Sequence, residues 1–364
     1  MYKNIRQSNI ELCRVVCMLL IIAHHSVVHG KAIEMNLCFN KFLSFFLVPG
    51  GKLCFVTFMV ISTWFLVNQQ FKLERFVKTW IQVFCYSTAF TVVAAILGTH
   101  LTKYDWFGVL FPILGNSHGF AATYLAFYLL IPFLAMVNMN IGKKYLFFLI
   151  FLLFNFQVVS RIMAVVINYH MPILSSELTL FILFYFISLW VKRYPINITN
   201  NKLIMFNMFF GVWVSVFGIW CLSITKFAQT KWYSILMSLA NDESSILYIL
   251  GGYALFFFFK NVEIKQNRII NFVAHASFGV LLFHDHNFFR YQLWKSILKA
   301  SNWYYKKEFI LWVLGCTIGI YMAGLIIETI RGNMEKHIFG LDKTKKTLKY
   351  CESYLFIPKQ TKSN

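Results

Sequence analysis

The sequence predicts an all-α fold: a polytopic integral membrane bundle of about ten transmembrane helices. Of the 364 residues, 59% are hydrophobic and only 13% are charged, and the mean hydropathy is +0.62. Soluble proteins carry about 25% charged residues, so this composition suits a bilayer better than water. Apolar runs of about 20 residues, the length that crosses the hydrocarbon core, recur between short polar connectors.

The first apolar run resembles a signal peptide in length but not in pattern. Arg14 and the pair His24-His25 interrupt it, and no small-residue cleavage site follows. We therefore expect a retained signal-anchor helix. Hydropathy places the spans, in chain order, at residues 9–28, 53–68, 77–98, 118–137, 145–160, 177–191, 203–224, 244–260, 276–294 and 308–330.

Three further apolar stretches are too short to cross a bilayer. They cover residues 39–48, 106–114 and 269–273, and we expect interfacial or re-entrant segments there. We treat residues 1–331 as one transmembrane domain and residues 332–364 as a basic cytoplasmic tail.

The formal net charge of +20 would suggest nucleic-acid binding in a soluble protein. Here most Lys and Arg residues lie in the tail and in the connectors on the side of both termini, whereas Lys295 to Lys307 run against that trend. The positive-inside rule then predicts a multi-pass protein of the plasma or inner membrane with both termini in the cytoplasm. Its expected surroundings are membrane lipids, with no nucleic-acid partner, and its richness in Phe, Ile, Asn and Lys indicates a bacterial source.

The cysteines and the short His-Asp-His sequence do not predict a metal site. The eight Cys residues stand singly without a Cys-x-x-Cys pair, so we interpret them as packing residues. In His284-Asp285-His286 the two imidazoles point about 200° apart on a helix, which is poor ligand spacing. We expect Asp285 to orient another group or to pair with Arg290.

The first span carries ionisable residues where a membrane makes them costly. At about 100° per residue, the eleven steps from Arg14 to His25 make about three full turns, so both side chains share one face about 16 Å apart along the axis. Glu11 and His29 fall close to the same stripe. His24 is rotated from it by about 80°.

Two interpretations of this stripe follow from the residues alone. In the first, Arg14 extends to the interface and pairs with Glu11, while the histidines satisfy hydrogen bonds near the other surface. In the second, the stripe is a functional track. Imidazole suits proton transfer near neutral pH, and a cation on the same face suits an elongated anionic ligand.

Four motifs resemble the membrane acyltransferase-3 family across nearly the whole chain. They are Glu11-Leu-Cys-Arg14 with His25 downstream, Phe55 to Phe65, Tyr124-Leu-Ala-Phe-Tyr-Leu-Leu-Ile-Pro132, and Ser277-Phe-Gly-Val-Leu-Leu-Phe-His284-Asp285. Two positions depart from the family pattern: Thr63 stands where Gly is usual, and His118-Gly119-Phe120 replaces Tyr-Trp-Phe.

The resemblance implies an O-acyltransferase, most simply an O-acetyltransferase, of cell-surface or exported polysaccharide. It implies that His25 and Arg14 are the catalytic residues: His25 is the base, and Arg14 also binds the donor, acetyl-coenzyme A or another acyl-CoA. Lys72 and Arg75 match a basic pair that would clamp the donor phosphates, although they also suit ordinary positive-inside anchors. The remaining candidate site residues are supporting polar groups, namely Glu11, His24, His284 and Asp285.

Two other functions compete with this interpretation. Intramembrane Arg, His and Asp residues also build proton relays and substrate paths, so a transporter or a flippase of a lipid-linked glycan is the alternative. No inverted repeat supports it in the sequence. A non-catalytic scaffold would leave the cost of burying Arg14 and His25 unexplained.

Overall fold

The computed structural model describes residues 6–67, 69–111, 119–167, 176–338, 347–348 and 350–352. Every regular element of more than a single turn within those ranges is helical, which confirms the predicted all-α bundle. In chain order the α-helices are α1 (Ser8–Val28), α2 (Phe39–Leu47), α3 (Pro49–Leu66), α4 (Leu73–Ile96), α5 (Lys103–Leu110), α6 (Gly119–Asn140), α7 (Lys143–Phe154), α8 (Ser160–Val166), α9 (Glu177–Arg193), α10 (Lys202–Leu222), α11 (Lys231–Asn241), α12 (Ile246–Lys260), α13 (Arg268–His275), α14 (Ser277–His284), α15 (Asn287–Tyr291) and α16 (Phe309–Ile338).

Seven helical segments in the described part of the chain are long and apolar enough to cross a membrane. They are α1, α2 with α3, α4, α6, α7 with α8, α10 and α16. Helices also occupy the other three predicted spans, but α9 has 17 residues and α12 has 15, and α13–α14 form a short apolar pair. The predicted count of about ten spans is therefore not confirmed.

Two predicted boundaries change in the structure. The stretch at residues 39–48 is not a separate interfacial piece, because α2 leads directly into α3 and the two form one apolar segment, Phe39–Leu66. The prediction of one continuous helix over residues 276–294 is wrong. Helix α14 ends at His284, and His286 is extended and caps α15 by accepting the Phe288 N–H at Nδ1. Polar side chains that bond nearby backbone break helices in this way.

Helix α1 lies at the centre of the bundle and packs on α3, α12, α13, α14 and α16. Glycines let neighbouring helices come close: a Cβ on Gly252 of α12 would lie 2.5 Å from Cγ1 of Val56 on α3. Small residues at such crossings are the usual means of packing helices where no hydrophobic effect drives association. The buried stripe of α1 is thus fixed by neighbours on several sides.

The helix ends separate into two groups. On the side where α1 begins, the N-terminal side, Asn9 Nδ2 donates to the carbonyl of Lys260 at 3.2 Å, and Arg193 Nη2 donates to Asn138 Oδ1 at 2.7 Å. On the opposite side, Lys52 Nζ contacts Glu243 at 2.9 Å. The connectors that meet on the N-terminal side are those that the charge distribution assigns to the side of the termini.

Candidate active site

His25 and His29, at the C-terminal end of α1, face the break in the helix that follows α14. His25 Nδ1 lies 3.1 Å from His284 Nε2, within hydrogen-bond distance. The rings of His25 and His29 are 4.6 Å apart between centroids, one turn along the same helix. The structure therefore assembles an imidazole cluster from residues that are far apart in sequence.

Asp285 brings a carboxylate to this cluster. Its Oδ1 atom is 3.8 Å from His25 Nδ1 and 3.9 Å from His29 Nε2. Arg290 Nε approaches the same oxygen at 3.3 Å, so the pairing of Asp285 with Arg290 anticipated from the sequence is present. Oδ1 is buried without a hydrogen-bond partner among the described residues, which leaves its charge directed at the two imidazoles and the guanidinium.

His284 is fully buried, and its ring is hydrogen-bonded to the backbone of its own helix. Its Nδ1 atom is 2.6 Å from the carbonyl oxygen of Val280, one turn earlier. Helix α16 packs closely on this part of α14, since a Cβ on Gly324 would lie 3.0 Å from Cα of Val280. The ring of His284 therefore has a fixed orientation toward α1.

His24 faces a different neighbour. Its Nδ1 atom lies 2.7 Å from the carbonyl oxygen of Val48, and its ring fills the space above Gly51, where a Cβ would come within 2.4 Å. The two adjacent histidines thus take different faces of α1, as the helical period predicts. His24 packs on α3, and His25 joins the cluster.

A cavity of about 790 Å³ opens on the N-terminal side of the bundle. Its described lining includes five basic residues, contributed by the start of the chain and by α1, α4 and α16: Arg6, Arg14, Arg75, Lys78 and Arg331. Acidic residues balance part of this charge, and Arg14 Nη1 lies 3.0 Å from Glu11 Oε1. The volume is within the range of about 300–1,000 Å³ that small-molecule sites occupy.

The predicted basic pair of α4 separates in the structure. Arg75 lines the cavity and lies over the ring of Tyr128, 5.6 Å from its centroid. Lys72 is absent from the described lining, and its backbone N–H donates to the Tyr128 hydroxyl at 3.1 Å. Lys78, three residues after Arg75, takes the place on the cavity wall that the sequence assigned to Lys72.

Arg331 is a cavity residue that the sequence interpretation missed. Its Nη2 and Nε atoms donate to Glu328 at 2.7 and 3.0 Å, and Tyr86 also donates to Glu328 at 3.0 Å. Gly279 provides the space for this carboxylate, since a Cβ there would lie 2.3 Å from Glu328 Oε2. From the sequence alone, Arg331 is explained as a positive-inside anchor. The only sequence signal for a buried ion pair was Glu328, one helical turn before Arg331.

The cavity stops short of the histidine cluster. Its described lining extends along α1 as far as Met18 and along α14 as far as Leu281, and it contains none of the cluster histidines. Met18 precedes His25 by about 10 Å along the axis, at about 1.5 Å per residue. Ile22 is fully buried on α1 between Met18 and His25. The site therefore has a basic entrance and a histidine end on the same helix, with an apolar stretch between them.

The cluster also brings three groups of metal-ligand type together. Ligand atoms of His25, His29 and Asp285 lie within 4.8 Å of one another, although the sequence predicts no metal from the spacing within His284-Asp285-His286. The sequence-based prediction considered only the segment His284-Asp285-His286. In the structure, the two imidazoles come instead from His25 and His29, at the end of α1. The Arg290 guanidinium lies 3.3 Å from Oδ1 of Asp285. Its positive charge would repel a metal cation bound to the same carboxylate oxygen.

A family model described as an acyltransferase domain matches residues 7–328. This range contains the histidine cluster and most of the described cavity lining, but not Arg6 and Arg331. No curated protein and no solved structure matches the chain.

Proposed function

This chain belongs to the acyltransferase-3 family of membrane acyltransferases, and from that premise we propose that it is an O-acetyltransferase of a surface or exported polysaccharide. The donor is a cytoplasmic acyl-CoA, most simply acetyl-CoA, and the acceptor is a carbohydrate hydroxyl. The observation that carries the proposal is the position of a basic cavity and an imidazole cluster at the two ends of one face of α1.

The basic cavity suits the phosphates of coenzyme A. Arg14, Arg75 and Arg331 line it and supply planar guanidinium groups, which bind phosphate oxygens through paired N–H donors. Carboxylates beside Arg14 and Arg331 orient these side chains before the donor arrives. The positive-inside rule supports a cytoplasmic location for this entrance.

The apolar stretch beyond Met18 suits the pantetheine arm. The axial distance from Arg14 to His25 is about 16 Å at about 1.5 Å per residue, so phosphates held at Arg14 leave the thioester to extend toward His25. Met18 and Leu281 must move aside for that extension, because they line the cavity where it ends along α1 and α14. The acceptor would then enter from the opposite side of the bundle.

At the cluster, His25 acts as general base. A ring nitrogen takes the proton of the sugar hydroxyl while the hydroxyl oxygen bonds to the thioester carbon. The tetrahedral intermediate collapses with cleavage of the C–S bond, and the imidazolium returns the proton to the departing thiolate, giving an ester and free coenzyme A. Asp285, 3.8 Å from His25 Nδ1, stabilises the imidazolium formed between these steps.

The test uses the purified full chain in detergent or nanodiscs, labelled acetyl-CoA and candidate glycans. We expect label transfer by the wild type and by His24→Ala, and none by His25→Ala, although all three proteins accumulate equally in the membrane. His24 is the matched control because it is a half-buried imidazole, as His25 is, on the preceding residue but on another face of α1. Glycan crossing vesicles without modification would favour the transporter, and unchanged transfer by His25→Ala would refute the assignment of the base.

A further inference from the structure

A chain of hydrogen bonds runs from the backbone of α14 to His25. His284 Nδ1 lies 2.6 Å from the Val280 carbonyl oxygen, and His284 Nε2 lies 3.1 Å from His25 Nδ1. A carbonyl oxygen only accepts, so His284 Nδ1 carries a proton and donates it. In a neutral ring the other nitrogen, Nε2, is then an acceptor.

This order fixes the proton on His25 as well. Because His284 Nε2 accepts, His25 Nδ1 donates, and the lone pair of the neutral His25 ring resides on Nε2. Asp285 Oδ1 also lies near His25 Nδ1, but its distance of 3.8 Å is too long for a hydrogen bond. The carboxylate therefore contributes charge, whereas His284 contributes the direct hydrogen bond.

We propose that His284 is a positioning residue that sets the tautomer of His25 and so makes His25 Nε2 the basic atom of the transfer reaction. The inference rests on the proposed function, in which His25 is the base. It adds that the Val280 carbonyl, His284 and His25 form one directed relay across α14 and α1. Without the acceptor at His284, His25 would lose its preference for the productive tautomer and its fixed ring orientation.

The burial of His284 fits this role. The residue is fully buried, so rotation of its ring would leave the Nδ1 donor without its acceptor, whereas the Val280 carbonyl would keep its backbone hydrogen bond within α14. Leaving a buried donor or acceptor unpaired costs about 1–3 kcal/mol. The same cost holds the relay in one direction in the absence of substrate.

The test compares His284→Gln with His284→Met, two side chains of similar length. The Gln carboxamide can donate to the Val280 carbonyl and accept from His25 Nδ1, whereas the Met tip carries no acceptor to replace His284 Nε2. We expect His284→Met to lower kcat by about 10²–10⁴-fold, the usual contribution of a general base, with the KM for acetyl-CoA unchanged. His284→Gln should recover most of that rate.

The His25→Ala variant, measured beside His284→Met, separates this inference from the proposed function. If His25→Ala is inactive but His284→Met keeps the wild-type kcat, the relay is refuted and the base assignment stands. The relay is also refuted if Gln and Met lower kcat equally while both proteins accumulate and bind acetyl-CoA normally. If His25→Ala stays active, the base assignment itself fails.

Discussion

Arg14 offers the sharpest test of the donor site. Its side chain is 31% exposed toward the cavity and is held by Glu11, whose side chain is 9% exposed. A charge-assisted hydrogen bond contributes about 1.5–3 kcal/mol. At about 1.4 kcal/mol per factor of ten, loss of the contact with a donor phosphate in Arg14→Ala should raise the KM for acetyl-CoA by about 10–150-fold.

The Glu11 carboxylate allows a second, independent test of the same prediction. In Arg14→Ala the carboxylate is left in the cavity without its cation and repels the incoming phosphates. The double variant Arg14→Ala with Glu11→Gln removes that repulsion, so its KM should lie between those of the wild type and of Arg14→Ala. Both variants should keep a kcat close to the wild-type value, because Arg14 lies about 16 Å from His25 along α1.

The assay is the initial rate of label transfer over a range of acetyl-CoA concentrations at saturating glycan. The matched control is Arg161, which pairs with Asp242 on the opposite side of the bundle and has a side chain 25% exposed. Arg161→Ala should leave the KM for acetyl-CoA unchanged. An unchanged KM in Arg14→Ala, or an equal rise in both variants, would refute the reasoning that places the phosphates at Arg14.

Three further outcomes follow from the same contacts. Asp285→Asn should lower kcat by about 10–10²-fold, because Asn cannot stabilise the His25 imidazolium by its charge. A charge pair at about 4 Å contributes up to about 4 kcal/mol at an effective dielectric of about 20. The KM for acetyl-CoA should not change and serves as the control. Met18→Trp should block the arm and abolish transfer while acetyl-CoA still binds, whereas Met18→Leu should be tolerated, as measured by calorimetry alongside rates. Gly279→Ala should lower the free energy of unfolding by about 1–3 kcal/mol through the clash of its Cβ with Glu328, measured as a lower melting temperature in detergent. In a Glu328→Ala protein, adding Gly279→Ala should cause no further loss of stability, because the clashing carboxylate is gone.

The sequence predicts the helical class and the face of His25 because both depend on local periodicity. An apolar run of the right length needs no tertiary information, and the angle between His24 and His25 follows from about 3.6 residues per turn. The structure places His24 on Val48 and His25 on His284, in agreement with that angle. Span counting is less direct, because α9 and α12 are apolar helices of 17 and 15 residues that hydropathy alone does not distinguish from full spans.

The partners of His25 could not be predicted in the same way. They depend on the break after His284, which turns Asp285 toward α1, and on the packing of α14 against α1. The cavity cations pose a different difficulty. A Lys or Arg at the end of a span is explained equally well by membrane orientation or by phosphate binding, so Lys78 and Arg331 stood out only once the cavity was seen.

The separation between the basic cavity and the histidine cluster is itself informative about the reaction. An enzyme that met both substrates on the same side of a membrane would need no separation of about three turns between its cations and its imidazoles. That spacing suits a donor held by its charged end on one side of a membrane, with only its uncharged pantetheine arm passing inward. Met18 lines the cavity and Ile22 is fully buried beyond it, so two apolar side chains lie on α1 between the cavity and His25. In the proposed reaction, the charged stripe of α1 would hold the donor phosphates at one end and the base at the other, so that only the acyl group passes to the acceptor.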